Sequence, residues 1–136
     1  MARAKICIDS IDQIVSVHME YEATVKEAGL LLFKYYTSLD TINDLLTIGA
    51  FRKLYPTASS TRNGDNVYNR INPNVYTKKE NYHLDDYFLY MNTGSARVYI
   101  KDRSSYLYRW NINRWEYLHI DTNFMFVPLT PELVGI

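Results

Sequence analysis

The fold is decided by the stretch "YLYRWNINRWEYLHI" (residues 106–120), which has the composition of a β-hairpin around its central "NIN". If Ile112 and Asn113 form a two-residue turn, each ring of one strand faces a ring of the other. Aromatic and oppositely charged cross-strand pairs are each worth about 0.2–1 kcal/mol. A three-residue turn would place Trp110 opposite Arg114, so we prefer the first register. Ile112 suits a positive φ poorly, so a four-residue loop with that register fits as well as a tight turn. The predicted pairs are Tyr106–His119, Leu107–Leu118, Tyr108–Tyr117, Arg109–Glu116 and Trp110–Trp115.

Further short runs with a period of two lie on either side of this hairpin. They are "YFLYM" (residues 87–91), "ARVYIK" (96–101) and "FMFV" (124–127), separated by turn residues. Evenly spaced aromatic and β-branched runs are typical of an antiparallel meander. We therefore predict four to five antiparallel strands in the last third of the chain. Thr130 followed by Pro131 then suits the start of a helical turn, with threonine as the cap.

The predicted meander has two chemically different faces. Because an antiparallel sheet usually buries one face, we expect the helices on the aliphatic face and an exposed aromatic face that contacts partners. The alternative, given equal weight, is that the rings pack inside the domain. The aliphatic face carries Leu89, Met91, Val98, Ile100, Leu107, Leu118 and Ile120. The residues predicted to bind on the aromatic face are Tyr90, Arg97, Tyr99, Tyr108, Trp110, Trp115, Tyr117 and His119.

The first part of the chain has apolar residues near helical spacing. A first helix is predicted within "DSIDQIVSVHMEYEATVKEAGLLLFKYY" (residues 9–36), where Ser10 and Gln13 match a capping box. A second helix is predicted over "TINDLLTIGAFRKLY" (residues 41–55). Two helices joined by a short turn should lie side by side, so this part predicts a helical pair.

The middle of the chain is dense in Asn, Ser, Thr and Gly and has no clear period, which predicts a polar loop or arm. It either contains a short strand near Val67–Tyr68 or Val75–Tyr76, or it extends and becomes ordered on a partner. The predicted fold is α+β, with an N-terminal helical pair packed on one face of a C-terminal four- to five-stranded antiparallel β-meander. The predicted single domain, 1–136, comprises a helical part (1–55), a polar loop or arm (56–86) and the meander with its tail (87–136).

Composition argues against several functional classes. The formal net charge is zero, from 15 basic and 15 acidic residues, which gives no general reason to expect nucleic acid or an anionic membrane as partner. Cys7 is the single cysteine, so an internal disulfide framework is excluded. The longest apolar run, "AGLLLF" (residues 28–33), is far shorter than a membrane span, and the first residues lack the apolar run of a signal peptide. We therefore expect no membrane partner, and an intracellular (host cytoplasm) or virion location.

No motif points to catalysis. None of the histidines, His18, His83 and His119, has metal-ligand spacing with another histidine or with cysteine. The pair Asp85-Asp86 beside His83 invites a carboxylate or metal site, but a solvated strand entry explains it better. We expect no cofactor, no metal and no enzyme activity. A nuclease using His83, His119 and the acidic pair is the minor alternative.

The aromatic face, the polar arm and the C-terminal tail favour a non-catalytic protein-interaction or assembly module that forms homo- or hetero-oligomers. In general style, the hairpin "YLYRWNINRWEYL" resembles the tyrosine- and tryptophan-rich hairpins of phage particle proteins. That resemblance implies a phage origin, and a structural (virion) protein or a small inhibitor of a host system would both fit. The alternative is a single-stranded nucleic-acid-binding protein, because rings beside Arg97 and Lys101 can stack on bases.

Overall fold

The computed structural model describes residues 3–68, 73–77, 106–119 and 125–136. Its strands are β1 (Ala4–Asp9), β2 (Gln13–Met19), β3 (Asn74–Thr77), β4 (Tyr106–Asn111), β5 (Arg114–His119) and β6 (Val127–Pro128). They form a single sheet in the order β3-β2-β1-β4-β5-β6. Among the described strands, β1 and β4 pair in parallel and the other neighbours pair antiparallel. The sheet is therefore mixed.

The described helices are short. A π-helical turn, Val25–Gly29, continues directly into α1 (Leu30–Tyr35). The others are α2 (Leu39–Leu46), α3 (Ala58–Thr61), a 3₁₀ turn (Gly64–Asn66) and α4 (Pro131–Val134). The predicted helical turn near the C-terminus is confirmed as α4, because the Thr130 side chain accepts a hydrogen bond from the Leu133 N–H and Pro131 opens the helix.

The predicted register of the hairpin is confirmed. β4 and β5 pair Tyr106 with His119, Tyr108 with Tyr117 and Trp110 with Trp115. Only two residues, Ile112 and Asn113, connect the strands, and both have positive φ. Of the two loops that fit this register, the chain therefore uses the tight primed turn, whose twist matches that of the flanking strands.

The prediction of an N-terminal helical pair is wrong. The whole of β2 lies within the segment predicted as the first helix, and it pairs antiparallel with β1 instead. Ser10 and Gln13 do not cap a helix, since the Ser10 N–H donates to the Gln13 carbonyl at 2.9 Å and closes the turn between these strands. The β-branched residues Ile14, Val15 and Val17 favour extended backbone. Their positions fit a period of two as well as a helical one.

The predicted second helix is shorter than expected. α2 ends at Leu46, and Gly49 at φ 82° turns the chain away from the helix axis. Phe51, which lies in the segment predicted as the second helix, instead forms isolated β-bridges to Met19 and Val67. The described helices are consequently not a pair packed on an antiparallel meander.

The helices pack on the face of the sheet opposite to the expected one. Tyr108 and Trp115, from the aromatic face, share the main core with Leu32 of α1 and Ile42 of α2. The second face is also buried at the hairpin, because Leu107 and Leu118 of the aliphatic face are each only 3 % exposed. Tyr108 and Trp115 therefore pack inside the domain, as the alternative interpretation of the aromatic face predicts.

The polar middle part is only partly a loop. It contains α3, the 3₁₀ turn and β3, and β3 includes one of the two sites where a short strand was anticipated, Val75–Tyr76. Thr57 caps α3 through its side chain, which accepts from the Ser60 N–H at 3.0 Å. The predicted strands at residues 87–91 and 96–101 lie outside the described residues.

Candidate functional site

The predicted binding residues are separated by the fold. Tyr108 and Trp115 are buried, at 0 % and 3 % exposure, beneath the helices. Trp110, Tyr117 and His119 are half-buried. The two buried rings are inaccessible to a base or a partner side chain, whereas Trp110 keeps an accessible surface at the turn end of the hairpin. The remaining predicted residues, Tyr90, Arg97 and Tyr99, lie outside the described residues.

Polar atoms anchor the buried rings to the helical layer. The Tyr108 hydroxyl donates to the Ala23 carbonyl at 2.6 Å, and the Trp115 Nε1–H donates to the Tyr36 carbonyl at 2.8 Å. Burial raises the pKa of Tyr108 well above its ordinary value, and the neighbouring Tyr106 and other acidic groups raise it further. A buried tyrosine stays neutral and keeps its hydrogen bond, so this part of the aromatic face is structural.

Two turns lie side by side at one end of the sheet. β1 and β4 are parallel neighbours with Ile8 opposite Trp110, so the turns that follow them, residues 10–12 and 112–113, emerge together. The Asp9 carboxylate at the end of β1 lies 3.6 Å from the Arg109 guanidinium of β4. We call residues 10–12 and 112–113 the paired turns.

Each of the paired turns presents an apolar side chain to solvent. Ile11 is 96 % exposed and Ile112 is 86 % exposed. β1 and β4 are neighbours about 4.8 Å apart, but the first turn leads to β2 and the second to β5, on opposite sides of this pair. At these exposures the two side chains do not contact each other, so each is a separate apolar knob at the tip of its turn. Exposed apolar residues that are scattered singly need no explanation.

Ile112 is also conformationally strained. Its φ is 49°, and that of Asn113 is 65°. The left-handed region costs an ordinary L-residue roughly 1–2 kcal/mol, and a β-branched side chain is especially disfavoured there. Asn and Gly are the usual residues in such a turn. Folding stability therefore disfavours isoleucine at residue 112 on two counts, backbone strain and exposure.

A hollow of about 190 Å³ adjoins the second of the paired turns. Its floor is the edge of Trp110 and Trp115, whose rings meet edge to face with centroids 5.5 Å apart. Helix α1 contributes Phe33 to one wall. We call this cavity the Trp110 hollow. Its lining residues are Phe33, Thr37, Trp110, Asn113, Arg114, Trp115 and Leu129.

Ion pairs support the paired turns from the opposite face of the sheet. Arg109 donates to Glu116 at 2.8–2.9 Å and lies 3.6 Å from Asp9, while the Phe126 ring lies 3.8 Å from its guanidinium carbon. Arg114 binds the other Glu116 oxygen at 2.8 Å and remains 61 % exposed. These contacts hold the end of β1 against β4 and hold the Arg114 guanidinium on Glu116, on the face of the sheet opposite to Trp110 and Trp115.

The part of the chain that the structure describes contains no cluster of three or more His, Cys, Asp or Glu side chains that could hold a metal ion. Within the same residues, no helix is both long and apolar enough to cross a bilayer. Comparison of the sequence with protein-family models and curated proteins, and of the chain with solved structures, finds no match.

The paired turns are not apparent from the sequence. Ile11 lies within the segment predicted as the first helix, and its exposure follows only from the β1–β2 turn. One local indication was present at residue 112, where a β-branched residue occupies a turn position that requires positive φ. The Trp110 hollow has no signature in the sequence, because Phe33 and Leu129 reach Trp110 only through tertiary packing.

Proposed function

We propose that the protein is a non-catalytic interaction or assembly module that contacts another protein chain through the paired turns and the Trp110 hollow. The observation that carries the proposal is the strained and exposed Ile112 at the tip of the hairpin. Backbone strain that persists in a folded chain is concentrated at functional positions, so an unfavourable residue there is a reason to look for a contact.

The chemistry of the surface suits a protein partner. The exposed Ile11 and Ile112 side chains each contribute about 1.5–3 kcal/mol when a partner buries them. Trp110 and Arg114 belong to the residue types that most often dominate binding energy at protein interfaces. The surface is small and has charged residues at its rim, which suits a specific contact better than general adhesion.

We further propose that the module is phage-encoded, either a structural (virion) protein or a small inhibitor of a host system. The composition of the hairpin supports the phage origin only, and does not favour either of the two roles. In either role the chain must present a defined surface to other chains, and the paired turns are the best candidate for that surface among the described residues.

Site-specific photo-crosslinking tests the contact. A photoreactive residue replaces Ile11 or Ile112 in separate variants, and the control variant carries it at Leu39, which is 52 % exposed on α2. We expect the same partner chain to be crosslinked from both turn positions and not from the control. Different products from the two positions, or equal crosslinking from the control, would contradict the proposal.

Two separate substitutions in the β4–β5 turn then measure how much the Ile112 side chain contributes to binding. Ile112→Asn removes the apolar tip and relieves the strain, so it should weaken binding of the purified partner tenfold or more while stabilising the fold by about 1 kcal/mol. Asn113→Gly is the matched control, because it alters the same turn but keeps Ile112. Unchanged affinity in Ile112→Asn would refute a functional role for the knob.

A further inference from the structure

A second hollow, of about 290 Å³, lies in the helical layer, where α1 contributes Tyr35, α2 contributes Asp44 and the start of α3 contributes Ser59. We call it the Asp44 hollow. It shares no lining residue with the Trp110 hollow and none with the paired turns. We propose that the Asp44 hollow binds the side chain of an arginine of a partner protein.

Hydrogen bonds fix the walls of this hollow in advance. The hydroxyl of the buried Tyr36 donates to the Tyr55 carbonyl at 2.7 Å, which ties the end of α1 to the segment that leads into α3. Ser38 begins α2 with a capping box, and the Thr57 side chain caps α3 by accepting from the Ser60 N–H. A preformed cavity loses little conformational entropy when a ligand enters it.

The charge of α2 favours a cation at this place. Its eight residues, "LDTINDLL" (39–46), include Asp40 and Asp44 and no basic residue. Asp44 lies in the last turn, where the helix dipole is negative, and Asp40 lies four residues earlier, at a spacing where like charges repel. Within the described residues neither aspartate forms an ion pair. A residue that helix stability disfavours, at the wall of a cavity, is typical of a binding position.

An aromatic ring beside this carboxylate selects a guanidinium group. Tyr35 lines the same hollow and is 42 % exposed. A guanidinium is planar, so it stacks on an aromatic ring and also pairs with a carboxylate through two parallel hydrogen bonds. Lys34 lies over the Tyr35 ring, with its Nζ 5.4 Å from the centroid, but it is exposed and does not line the hollow. Water and salt screen the charge of such a residue.

The absence of a basic wall identifies the source of the arginine. None of the described residues that line the Asp44 hollow is basic. Free arginine carries an α-carboxylate, for which this wall offers no counter-charge, whereas an arginine within a polypeptide has no charge at that position. The volume is also at the lower end of the range for ligand cavities, about 300–1,000 Å³, which suits one side chain better than a larger molecule.

NMR titration of the full chain with N-acetyl-arginine amide tests the site. This probe has the side chain of an arginine within a polypeptide and no terminal charges. We expect amide signals of the residues that line the Asp44 hollow to shift, with a dissociation constant on the order of 1 mM. The matched probe is N-acetyl-citrulline amide, in which an uncharged urea group replaces the guanidinium, and it should leave the same signals in place.

Substitutions on one helix provide the control. Asp44→Asn should weaken binding of the arginine probe about fivefold or more, because it removes the charge that the guanidinium pairs with. Asp40→Asn makes the same change one turn earlier, outside the hollow, and should alter binding by less than about twofold. Tyr35→Leu should weaken binding about threefold, since it removes the ring. Thermal unfolding of each variant, followed by circular dichroism, shows that the fold is intact.

Each outcome decides the inference. Shifts at the lining residues that are lost in Asp44→Asn and kept in Asp40→Asn support it. Equal binding of the two probes, equal binding by Asp44→Asn and wild type, or no shift at the lining residues overturns it. Tighter binding of free arginine than of the capped probe would make the occupant a small molecule, and overturns the partner protein. Ile112→Asn leaves this titration unchanged, so the Asp44 hollow and the proposed function of the paired turns fail separately.

Discussion

The hydroxyl of Tyr108 joins the sheet to the segment before α1, and its removal tests which face of the sheet carries the helices. Tyr108→Phe keeps the buried ring and deletes only the oxygen that donates to the Ala23 carbonyl at 2.6 Å. Because the ring is fully buried, water cannot replace the lost donor. The substitution therefore isolates one hydrogen bond.

The magnitude at neutral pH follows from the unsatisfied carbonyl. A buried acceptor left without its donor costs about 1–3 kcal/mol. Urea unfolding of wild type and Tyr108→Phe at pH 7 should show a free energy of unfolding lower by that amount. The denaturant dependence should be unchanged, because the surface exposed on unfolding is nearly the same.

The same pair of proteins should converge at alkaline pH. The folded state holds the pKa of Tyr108 well above its ordinary value of 10.0, mainly through burial. Between the unfolded and folded pKa values the unfolded state binds fewer protons, so the stability contributed by neutral Tyr108 is present below pH 10 and is lost as pH rises. Tyr108→Phe lacks this dependence, so the difference between the two proteins should shrink by about 1.4 kcal/mol from pH 9 to pH 11.

Tyr35→Phe is the matched control, because Tyr35 is 42 % exposed and water can serve a neighbouring acceptor. It should change the free energy of unfolding by less than about 0.5 kcal/mol. The assignment of the aromatic face to the core would be wrong if Tyr108→Phe matched this control at pH 7. A difference from wild type that widened with pH would refute the pKa argument.

Three further predictions follow from the described contacts. Arg109→Met should lower the free energy of unfolding, measured by urea titration, by about 3 kcal/mol. This is the low end of the range for a broken buried ion pair, because Arg114 still binds Glu116. Arg114→Met should lower it by no more than about 1 kcal/mol in the same titration, because Arg114 is largely exposed. Ser38→Ala removes the capping box of α2 and should cost about 1 kcal/mol, measured by thermal unfolding; no change would mean that the cap is not formed in solution. Cys7 is buried, and burial raises the pKa of its thiol. A thiol reagent should therefore label Cys7 only when the protein unfolds. Rapid labelling of the folded protein at neutral pH would contradict this burial.

Local chemistry was sufficient to predict the hairpin. The pairing of β4 with β5 satisfies facing rings and facing opposite charges over a few residues, so the register follows from neighbours along the chain. The capped turn at Thr130 and Pro131 is predictable for the same reason, since its donors and acceptors lie within one helical turn.

The N-terminal strands were not predictable in this way. In β2 the pair Ile14 and Val15 fits the helical spacing, whereas Val15 and Val17 fit a two-residue period, and local propensity alone did not choose between them. The choice is made by hydrogen bonds to β4, in a pairing that sets Ile6 beside Tyr108. A long-range partner of this kind, over a separation of about a hundred residues, leaves no local trace in the sequence.

The candidate site also combines features that follow from the local sequence with features that depend on long-range packing. From the sequence alone come the register of the hairpin, the poor fit of Ile112 to a tight turn, and the side chains that alternate between the two faces of the hairpin. Only the tertiary structure decides which of those faces lies under the helices and brings the β1–β2 turn beside the β4–β5 turn. The physical reason is that both faces of the hairpin are apolar enough to be buried. Burial energy alone does not distinguish them, and the choice depends on where the rest of the chain can pack.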